Sequence, residues 1–176
     1  MTLNFELGQI RLQQRRALRT VANGDTVRKA NFGEMWTDQA MKDLRLNGFR
    51  LVHKNQITDI DTPITKGIDH VFAYTDKTGR ERYVIVETKY TIDGTTRTTD
   101  PRLTDDGRQM SDGWILGGRR LQEAVSLADE RAIRNALASD DPIDRVLASV
   151  DIGGNVQFRN LDSNGEGLAD DWLPDI

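Results

Sequence analysis

A glutamate and a lysine stand two positions apart in VIVETKY, residues 84 to 90, a segment that otherwise has the apolar composition of a buried strand. Alternate side chains of a strand point to the same face, so Glu87 and Lys89 are predicted to be neighbours. Asp69 lies near the start of the preceding strand-like run, and a hairpin between the two runs would bring it beside Glu87. Two carboxylates and an ammonium group would then meet at one end of an apolar strand pair, where an unpaired charge is costly.

A divalent cation between Asp69 and Glu87 would remove that cost. Mg²⁺ and Mn²⁺ prefer oxygen ligands and keep several water molecules, which suits them to bind a phosphate and an attacking hydroxide. Lys89 would then stabilise charge on the phosphate or orient the water. The chain has no cysteine and two histidines, so carboxylates are its natural metal ligands. The alternative is a structural ion pair between Glu87 and Lys89, with Asp69 in a turn, and the spacing alone leaves both interpretations open.

The elements that must position these residues are predicted from hydrophobic periodicity. Apolar residues at helical spacing predict a first helix within residues 5–21 and a second helix from about Asn31 to Leu46. Three strand-like segments follow, FRLVHK at 49–54, IDHVFAYT at 68–75 and RYVIVETKY at 82–90. The last two are expected to form a hairpin at the centre of a sheet. Residues 91–107 are rich in threonine, aspartate and arginine, which predicts a surface loop.

The second half of the chain predicts helices followed by another hairpin. A short helical segment lies in GRQMSDGWI at 107–115, and a longer helix has apolar residues from Leu121 to Ala136. DRVLASVDI and NVQFRNLD, joined at Gly153-Gly154, predict two antiparallel strands. This order predicts one α/β domain with a mixed central sheet flanked by helices. It divides into an N-terminal helical segment at 1–29, a main domain at 30–160 and an acidic C-terminal tail at 161–176.

The charge of the chain is unevenly distributed. It has 24 lysines and arginines against 28 aspartates and glutamates, a net charge of −4. The last sixteen residues contain five of these acids and no base, whereas residues 1–30 are basic. The basic end could face phosphate, and a solvated helix face is the plain alternative. The net charge argues against a protein that coats nucleic acid nonspecifically. No apolar run approaches the roughly 18 to 20 residues needed to cross a bilayer, which argues against a membrane span.

The segments GID at 67–69 and VETK at 86–89 resemble the D…(D/E)xK pattern of the PD-(D/E)XK, or restriction-endonuclease-like, nuclease superfamily. The resemblance implies a restriction-endonuclease-like core and a metal-dependent endonuclease activity. It also implies that Asp69 and Glu87 bind Mg²⁺ or Mn²⁺ and that Lys89 assists the nucleophile. The proline that gives the superfamily its name is absent, since Gly67-Ile68 occupies its place.

An acid on the helix before the sheet is a further feature of many members of this superfamily. The segment GEMWTDQAM at 33–41 offers Glu34, which is seven positions from Met41 and therefore lies at the shoulder of the apolar face. The resemblance implies that Glu34 is a third metal ligand and a catalytic residue. Asp38, one turn further on, is the competing choice, and an ordinary solvated acid is the plain alternative for either residue.

The segment GRQMSDGWI, followed by GRRLQEAV at 118–125, narrows the resemblance to a subgroup. It resembles the region after the catalytic strand in nuclease toxin domains from the C-termini of contact-dependent growth inhibition proteins and related bacterial polymorphic toxins. In such toxins the glutamine supports the active site, so Gln109 joins the expected catalytic residues, with Ser111 and Trp114 after it. On structural grounds alone, Ser111 is a helix cap, Trp114 is a core anchor and Gln109 is a helix-start residue.

The toxin resemblance also implies a biological role, with residues 30–160 as the nuclease domain. The domain would be delivered as part of a larger toxin that is secreted or lies at the cell surface. It would act in the cytoplasm of the target cell, be inhibited by a cognate immunity protein, and need no membrane in its mature form. Transfer RNA is the expected substrate and DNA is the alternative. A catalytically inactive nuclease-like binding or immunity module is the alternative of a different class.

Overall fold

The computed structural model describes residues 25–91, 101–139 and 141–175 of the protein. Within these ranges, the elements in chain order are α1 (Thr26–Asp43), β1 (Arg50–Leu51), β2 (His70–Thr75), β3 (Glu81–Tyr90), β4 (Leu103–Thr104), β5 (Gly107–Arg108), α2 (Asp112–Leu116), α3 (Arg120–Ala124), α4 (Leu127–Ala138), β6 (Asp144–Val150), β7 (Val156–Leu161) and β8 (Gly167–Asp171). None of the helices in the described residues is both long and apolar enough to span a membrane.

Six strands form the central sheet in the order β1-β2-β3-β6-β7-β8. Its neighbouring strands are antiparallel except for β3 and β6, which are parallel. The connection from β3 to β6 contains α2, α3 and α4, as a parallel pair needs a long crossover. The predicted mixed central sheet is therefore confirmed, with β3 and β6 in its middle.

The side chains of the sheet alternate between two apolar cores. One core, termed the α1 face, contains Met41, Phe72, Val84, Val86 and Val146. The other core, termed the α4 face, contains Val71, Ile85, Ile115, Ile133 and Leu147. Because α1 lies on one face and α2 to α4 supply residues to the other, the sheet is flanked by helices on both sides, as predicted.

A tight turn joins β2 to β3 and fixes their register. The Asp76 carboxylate accepts hydrogen bonds from the backbone N–H groups of Thr78 at 2.8 Å and Arg80 at 3.0 Å. Gly79 has a φ of 82°, a conformation that favours glycine. The pairing begins with Thr75 opposite Glu81 and extends to the other end of β2. The hairpin predicted between the two strand-like runs is confirmed.

Three elements differ from the sequence-based expectation. The helix expected from Leu121 to Ala136 is two helices, because Val125 is extended with φ −131° and ψ 172° and Ser126 caps α4. The Ser126 hydroxyl accepts a hydrogen bond from the backbone N–H of Asp129 at 3.2 Å. The described part of the expected loop at 91–107 contains β4 and the start of β5, which form a short hairpin. Of the expected strand at 49–54, only β1 is a strand.

The structure describes the C-terminal segment almost completely and the N-terminal segment only from Asp25. Within the acidic segment 161–176, β8 pairs with β7 and Trp172 is buried, so this segment forms one edge of the sheet. The helix expected within residues 5–21 lies outside the described residues. α1 begins after Asp25, whose carboxylate accepts a hydrogen bond from the backbone N–H of Arg28 at 3.2 Å.

Candidate active site

Asp69 and Glu87 lie beside each other at the open end of the β2–β3 hairpin. In the antiparallel register His70 pairs with Val86, so the preceding residue, Asp69, lies opposite Glu87. The backbone N–H of Thr88 donates a hydrogen bond to Asp69 Oδ2 at 2.8 Å. Strand alternation assigns both carboxylates to the α4 face. The juxtaposition that the spacing predicts is present.

Glu87 is a buried acid in contact with Lys89. Glu87 is 2% exposed, and Lys89 Nζ donates a hydrogen bond to its Oε1. The second carboxylate oxygen, Oε2, is buried and has no hydrogen-bond partner among the described residues. A buried oxygen without a partner is unfavourable, because its lost hydration is not offset. This oxygen is therefore able to accept a bond from a bound cation or a donor group.

Three carboxyl groups interact electrostatically at this place. Burial raises the pKa of Asp69 well above its ordinary value, and the charges of Glu87 and Glu34 raise it further, against His70 and the Thr88 N–H. Burial raises the pKa of Glu34 from 4.5 to about 7, with His70 opposing the shift and Asp38 and Glu87 adding to it. Carboxylates that repel one another in this way form a site that a positive charge would stabilise.

The two candidate acids of α1 have different surroundings. Asp38 is 3% exposed, its Oδ1 lies 2.9 Å from His70 Nδ1, and its Oδ2 accepts a hydrogen bond from Gln56 Nε2 at 2.8 Å. Glu34 is half-buried, and the charge of Glu87 contributes to its raised pKa. Of the two, Glu34 is thus the helix acid that interacts with the strand carboxylates, whereas Asp38 interacts with His70.

A buried network links α1 to the strand that carries the site. His70 Nε2 lies 3.0 Å from Thr88 Oγ1, which donates a hydrogen bond to Thr37 Oγ1 at 3.0 Å. Burial lowers the pKa of His70, but the hydrogen bond and the charge of Asp38 outweigh this effect, so its pKa is raised. Since the backbone N–H of Thr88 binds Asp69, the network fixes the strand behind the carboxylates.

Strand alternation places His70 on the face opposite Asp69, but its partners were not predicted from the sequence. Asp38, Thr37 and Thr88 were not recognised as one group, although each is a polar residue in an element with an apolar face. Asp38 lies three positions before Met41, which is in the core of the α1 face. A polar residue at such a position is the signal that could have indicated a buried partner.

Gln109, Ser111 and Trp114 lie at the start of α2. The side-chain Oε1 of Gln109 accepts a hydrogen bond from the backbone N–H of Arg102 at 3.2 Å. The backbone N–H of Gln109 donates a hydrogen bond to the Arg102 carbonyl at 2.9 Å. The Ser111 hydroxyl accepts from the Trp114 N–H at 3.2 Å, so it is the predicted cap. Trp114 is 3% exposed and belongs to the core of the α4 face, as expected on structural grounds.

A cavity of about 510 Å³ adjoins Asp69, whereas Glu87, Lys89 and Glu34 are not among the residues that line it. Asp69 and Gln109 both line it, so the structure brings these two predicted site residues to one cavity. Lys66 and Arg102 lie in the same wall. The cavity therefore has acidic and basic groups side by side, which is a suitable environment for a phosphate ester next to a cation.

The residues available to a metal ion are few. Within the described ranges, no group of three or more histidine, aspartate and glutamate side chains is arranged so that it could hold a metal ion. The candidate ligands are therefore the pair Asp69 and Glu87, with Glu34 near enough to act through its charge. Mg²⁺ is usually bound by one or two carboxylates and retains several waters. The pair meets this requirement without forming a closed cage.

No family model, curated protein or solved structure matches this chain. Its function is therefore inferred from the side chains of the candidate site and from the residue pattern that they form.

Proposed function

We propose that this protein is a metal-dependent nuclease with a restriction-endonuclease-like core. The observation that carries the proposal is the position of Asp69 opposite Glu87 at the end of the β2–β3 hairpin, with Lys89 in contact with Glu87. These three residues occupy the positions of the D…(D/E)xK pattern that the sequence resembles. The mixed sheet with helices on both faces is compatible with that core.

The carboxylates fit an ion such as Mg²⁺ or Mn²⁺. Asp69 and Glu87 would hold it, and Glu34 would complete the acidic group. The unpartnered Oε2 of Glu87 supports this assignment, because it is a buried acceptor that a cation could bind. The raised pKa values of Asp69 and Glu34 also support it, because burial and the neighbouring carboxylates disfavour their charged forms and a cation would favour them. When bound, such an ion supplies an activated water and offsets charge on the phosphate.

The side chains of the chain have separate parts in the reaction. Lys89, with 31% of its side chain exposed, can bind a phosphate oxygen or orient the attacking water. The Thr88 N–H holds Asp69 in place. Gln109 lines the same cavity as Asp69, and its amide N–H groups can donate hydrogen bonds to a substrate bound there. These groups bind and orient a phosphodiester next to the carboxylates.

We infer from the resemblance of the QMS-x-x-W region that the nuclease is a bacterial toxin domain. Its support in the fold is that Gln109, at the start of this region, lines the cavity beside Asp69. The domain would be delivered as part of a larger secreted or cell-surface toxin and act in the cytoplasm of the target cell. A cognate immunity protein would inhibit it. Transfer RNA is the favoured substrate, and DNA is the alternative.

A catalytically inactive binding or immunity module is the competing function, and two observations favour it. Glu87 forms an ion pair with Lys89, which gives both residues a structural reason to be present. The described residues also contain no arrangement of three or more metal-ligating side chains. Such a module need not bind Mg²⁺, so metal-dependent cleavage separates the two functions.

Cleavage of two substrates in parallel tests the proposal. The purified protein is incubated with total transfer RNA and with plasmid DNA, in Mg²⁺ or in EDTA, beside the variants Glu87→Gln and Lys89→Gln. We expect cleavage of one substrate in Mg²⁺ only, with a loss of about 100-fold or more in either variant. The substrate that is cut decides between a transfer RNA nuclease and a DNA nuclease.

Matched controls come from ion pairs away from this site. Asp141 pairs with Arg80, and Lys77 pairs with Asp175, so Asp141→Asn and Lys77→Gln remove the same types of charge from exposed positions. Both should keep full activity. If the wild-type protein cut neither substrate in Mg²⁺ or Mn²⁺ while its circular dichroism spectrum showed a folded α/β protein, the binding module would be the better interpretation.

A further inference from the structure

A groove extends from Asp69 along the loop that precedes β2. Its first part is the cavity of about 510 Å³ that Asp69 and Gln109 line. Its second part has a volume of about 340 Å³ and lies against α3. The two parts share Lys66, Gly67 and Arg120 in their walls and therefore adjoin each other. The two together are termed the basic groove.

Two cations of the basic groove have no acidic partner among the described residues. Lys66 and Arg102 are exposed, and neither forms an ion pair with a described residue, although nine other arginines of the described chain do so. Arg120 differs from them, since it pairs with Asp106 and its guanidinium lies 4.6 Å from the centre of the Trp114 ring. Lys66 and Arg102 can therefore bind an anion without first breaking an ion pair.

Two of the acids in the groove wall are offset by neighbouring bases. Asp106 pairs with Arg120, and Glu123 pairs with Arg119 at 3.6 Å. Asp105 and Asp69 are the wall acids that form no ion pair with a described residue. The groove thus combines a positive wall with the acidic group at Asp69. A metal ion at the acids and phosphates along the positive wall would balance both charges.

We propose that the basic groove binds the phosphate backbone of the nucleic acid next to the bond that is cut, with Lys66 and Arg102 as phosphate contacts. This inference rests on the proposed nuclease function and names the substrate-binding surface of the same site. Asp69, Lys66 and Arg102 line one cavity, so a phosphodiester at Asp69 has its neighbouring phosphates along the groove. The contacts are to backbone phosphates, and they therefore position the strand without selecting its sequence.

Salt-dependent binding tests this inference. A fluorescently labelled single-stranded RNA oligonucleotide and its DNA equivalent are titrated in EDTA with the wild-type protein and with the double variant Lys66→Ala/Arg102→Ala. We expect the variant to bind at least tenfold more weakly at low salt. The slope of log K against log salt concentration should become shallower by about 0.7 for each lost phosphate contact to a single strand. Both changes report phosphate contacts directly and do not depend on catalysis.

A control double variant removes the same charges elsewhere. Lys42 and Arg131 are exposed, form no ion pair with a described residue and do not line the groove. Lys42→Ala/Arg131→Ala should bind as the wild-type protein does. An equal loss in both double variants would overturn the inference, because net charge alone would then set the affinity. A wild-type protein that bound neither oligonucleotide would also overturn it.

Cleavage assays with the same variants distinguish the two proposals. The groove variant should raise KM for the cleaved substrate with little change in kcat, because its contacts bind the substrate without touching the reacting bond. If the wild-type protein cut nucleic acid and the groove variant bound and cut equally well, the groove inference would fail and the nuclease function would stand. If the groove variant lost binding but the wild-type protein cut nucleic acid in no metal, the groove would still bind phosphates and the nuclease function would fail.

Discussion

Nδ1 of His70 lies 2.9 Å from Oδ1 of Asp38, in a contact between β2 and α1 in which both residues are at most 3% exposed. The other ring nitrogen lies 3.0 Å from the hydroxyl of Thr88, next to Glu87 in β3. This contact joins α1 to both strands of the hairpin on the face opposite the carboxylates. The packing of α1 and the geometry of the candidate site are therefore coupled through one imidazole ring.

Removal of the Asp38 carboxylate should strongly destabilise the protein. Asp38→Ala leaves a buried imidazole whose charge has lost its partner, and such losses cost about 3 to 5 kcal/mol. Asp43, at the exposed end of the same helix, accepts a hydrogen bond from Gln39 at 2.9 Å and offers a matched control. Asp43→Ala should cost less than about 1 kcal/mol. Urea unfolding followed by circular dichroism measures both values.

The pH dependence of the same variant gives a second check. Because the pKa of His70 is raised in the folded protein, its protonation stabilises the fold fully below the unfolded value of about 6.5. This contribution is lost as the pH rises through the folded pKa. Asp38→Ala should therefore lose more stability at about pH 6 than at alkaline pH. A loss that did not vary with pH would show that the imidazole is neutral throughout.

Glu34 should have a different effect on the pH profile of stability. Its pKa is about 7 in the folded protein against an ordinary value of 4.5, so the folded state binds more protons between these values. Stability should therefore fall as the pH rises from about 4.5 to about 7, and Glu34→Gln should remove this fall. The expected gain above pH 7 is on the order of 2 kcal/mol, measured by urea unfolding in EDTA.

The exposed Glu123 provides the control for Glu34. Glu123→Gln should shift stability equally at every pH and by less than about 0.5 kcal/mol. A Glu34→Gln variant that followed the wild-type pH curve would mean that the carboxyl group is solvated and far from Glu87.

Gly33 allows α1 to approach β3 closely. A Cβ atom at this position would lie 2.9 Å from Thr88 Cγ2, and the Thr88 side chain is held in place by His70 and Thr37. Gly33→Ala gains about 1 kcal/mol of helix propensity. The clash should outweigh this gain and give a net loss of about 1 to 3 kcal/mol in the free energy of unfolding.

A double-mutant cycle isolates the Gly33 contact. Thr88→Ser removes the methyl group and keeps the hydroxyl that contacts His70 and Thr37. In this background Gly33→Ala should become neutral or stabilising, since the helix propensity gain remains and the clash is gone. An unchanged penalty would assign the cost to something other than the Thr88 methyl group.

Mg²⁺ should stabilise the folded protein if the carboxylates bind it. At a concentration about ten times the dissociation constant, the free energy of unfolding should rise by about 1.4 kcal/mol above its value in EDTA. Asp69→Asn and Glu87→Gln should abolish this rise, because each removes a charged oxygen ligand. Asp141→Asn should retain it, since Asp141 pairs with Arg80 elsewhere. Stabilisation that persisted in both site variants would assign the ion to another place.

The strand pair could be predicted from the sequence because its signals are local. The alternation in VIVETKY and the turn-forming residues between the two runs are enough to place Asp69 near Glu87. The contact of His70 with Asp38 could not be predicted in this way. These residues are 32 positions apart, and their meeting depends on how α1 packs on the sheet.

Two further differences between the predicted and the observed fold have local physical reasons. The apolar spacing continues through Val125. Periodicity alone therefore does not show that α3 ends before this residue or that Ser126 caps the next helix, α4. β8 was hidden by its composition, because an edge strand with exposed residues has little apolar signal. The Ser126 cap separates α3 from α4, and the exposed position of β8 at the sheet edge determines its composition. Neither feature follows from hydrophobic periodicity.

The parallel pairing of β3 with β6 has a consequence for how the protein is made. β3 has its first neighbour, β2, directly before it, but its second neighbour begins at Asp144. On the ribosome, the strand with Glu87 and Lys89 therefore emerges long before the strand that completes its hydrogen bonding. A nascent chain that stops short of β6 contains all three motif residues without the sheet that supports them. The order of synthesis thus delays assembly of the three motif residues on their sheet until β6 has also been made.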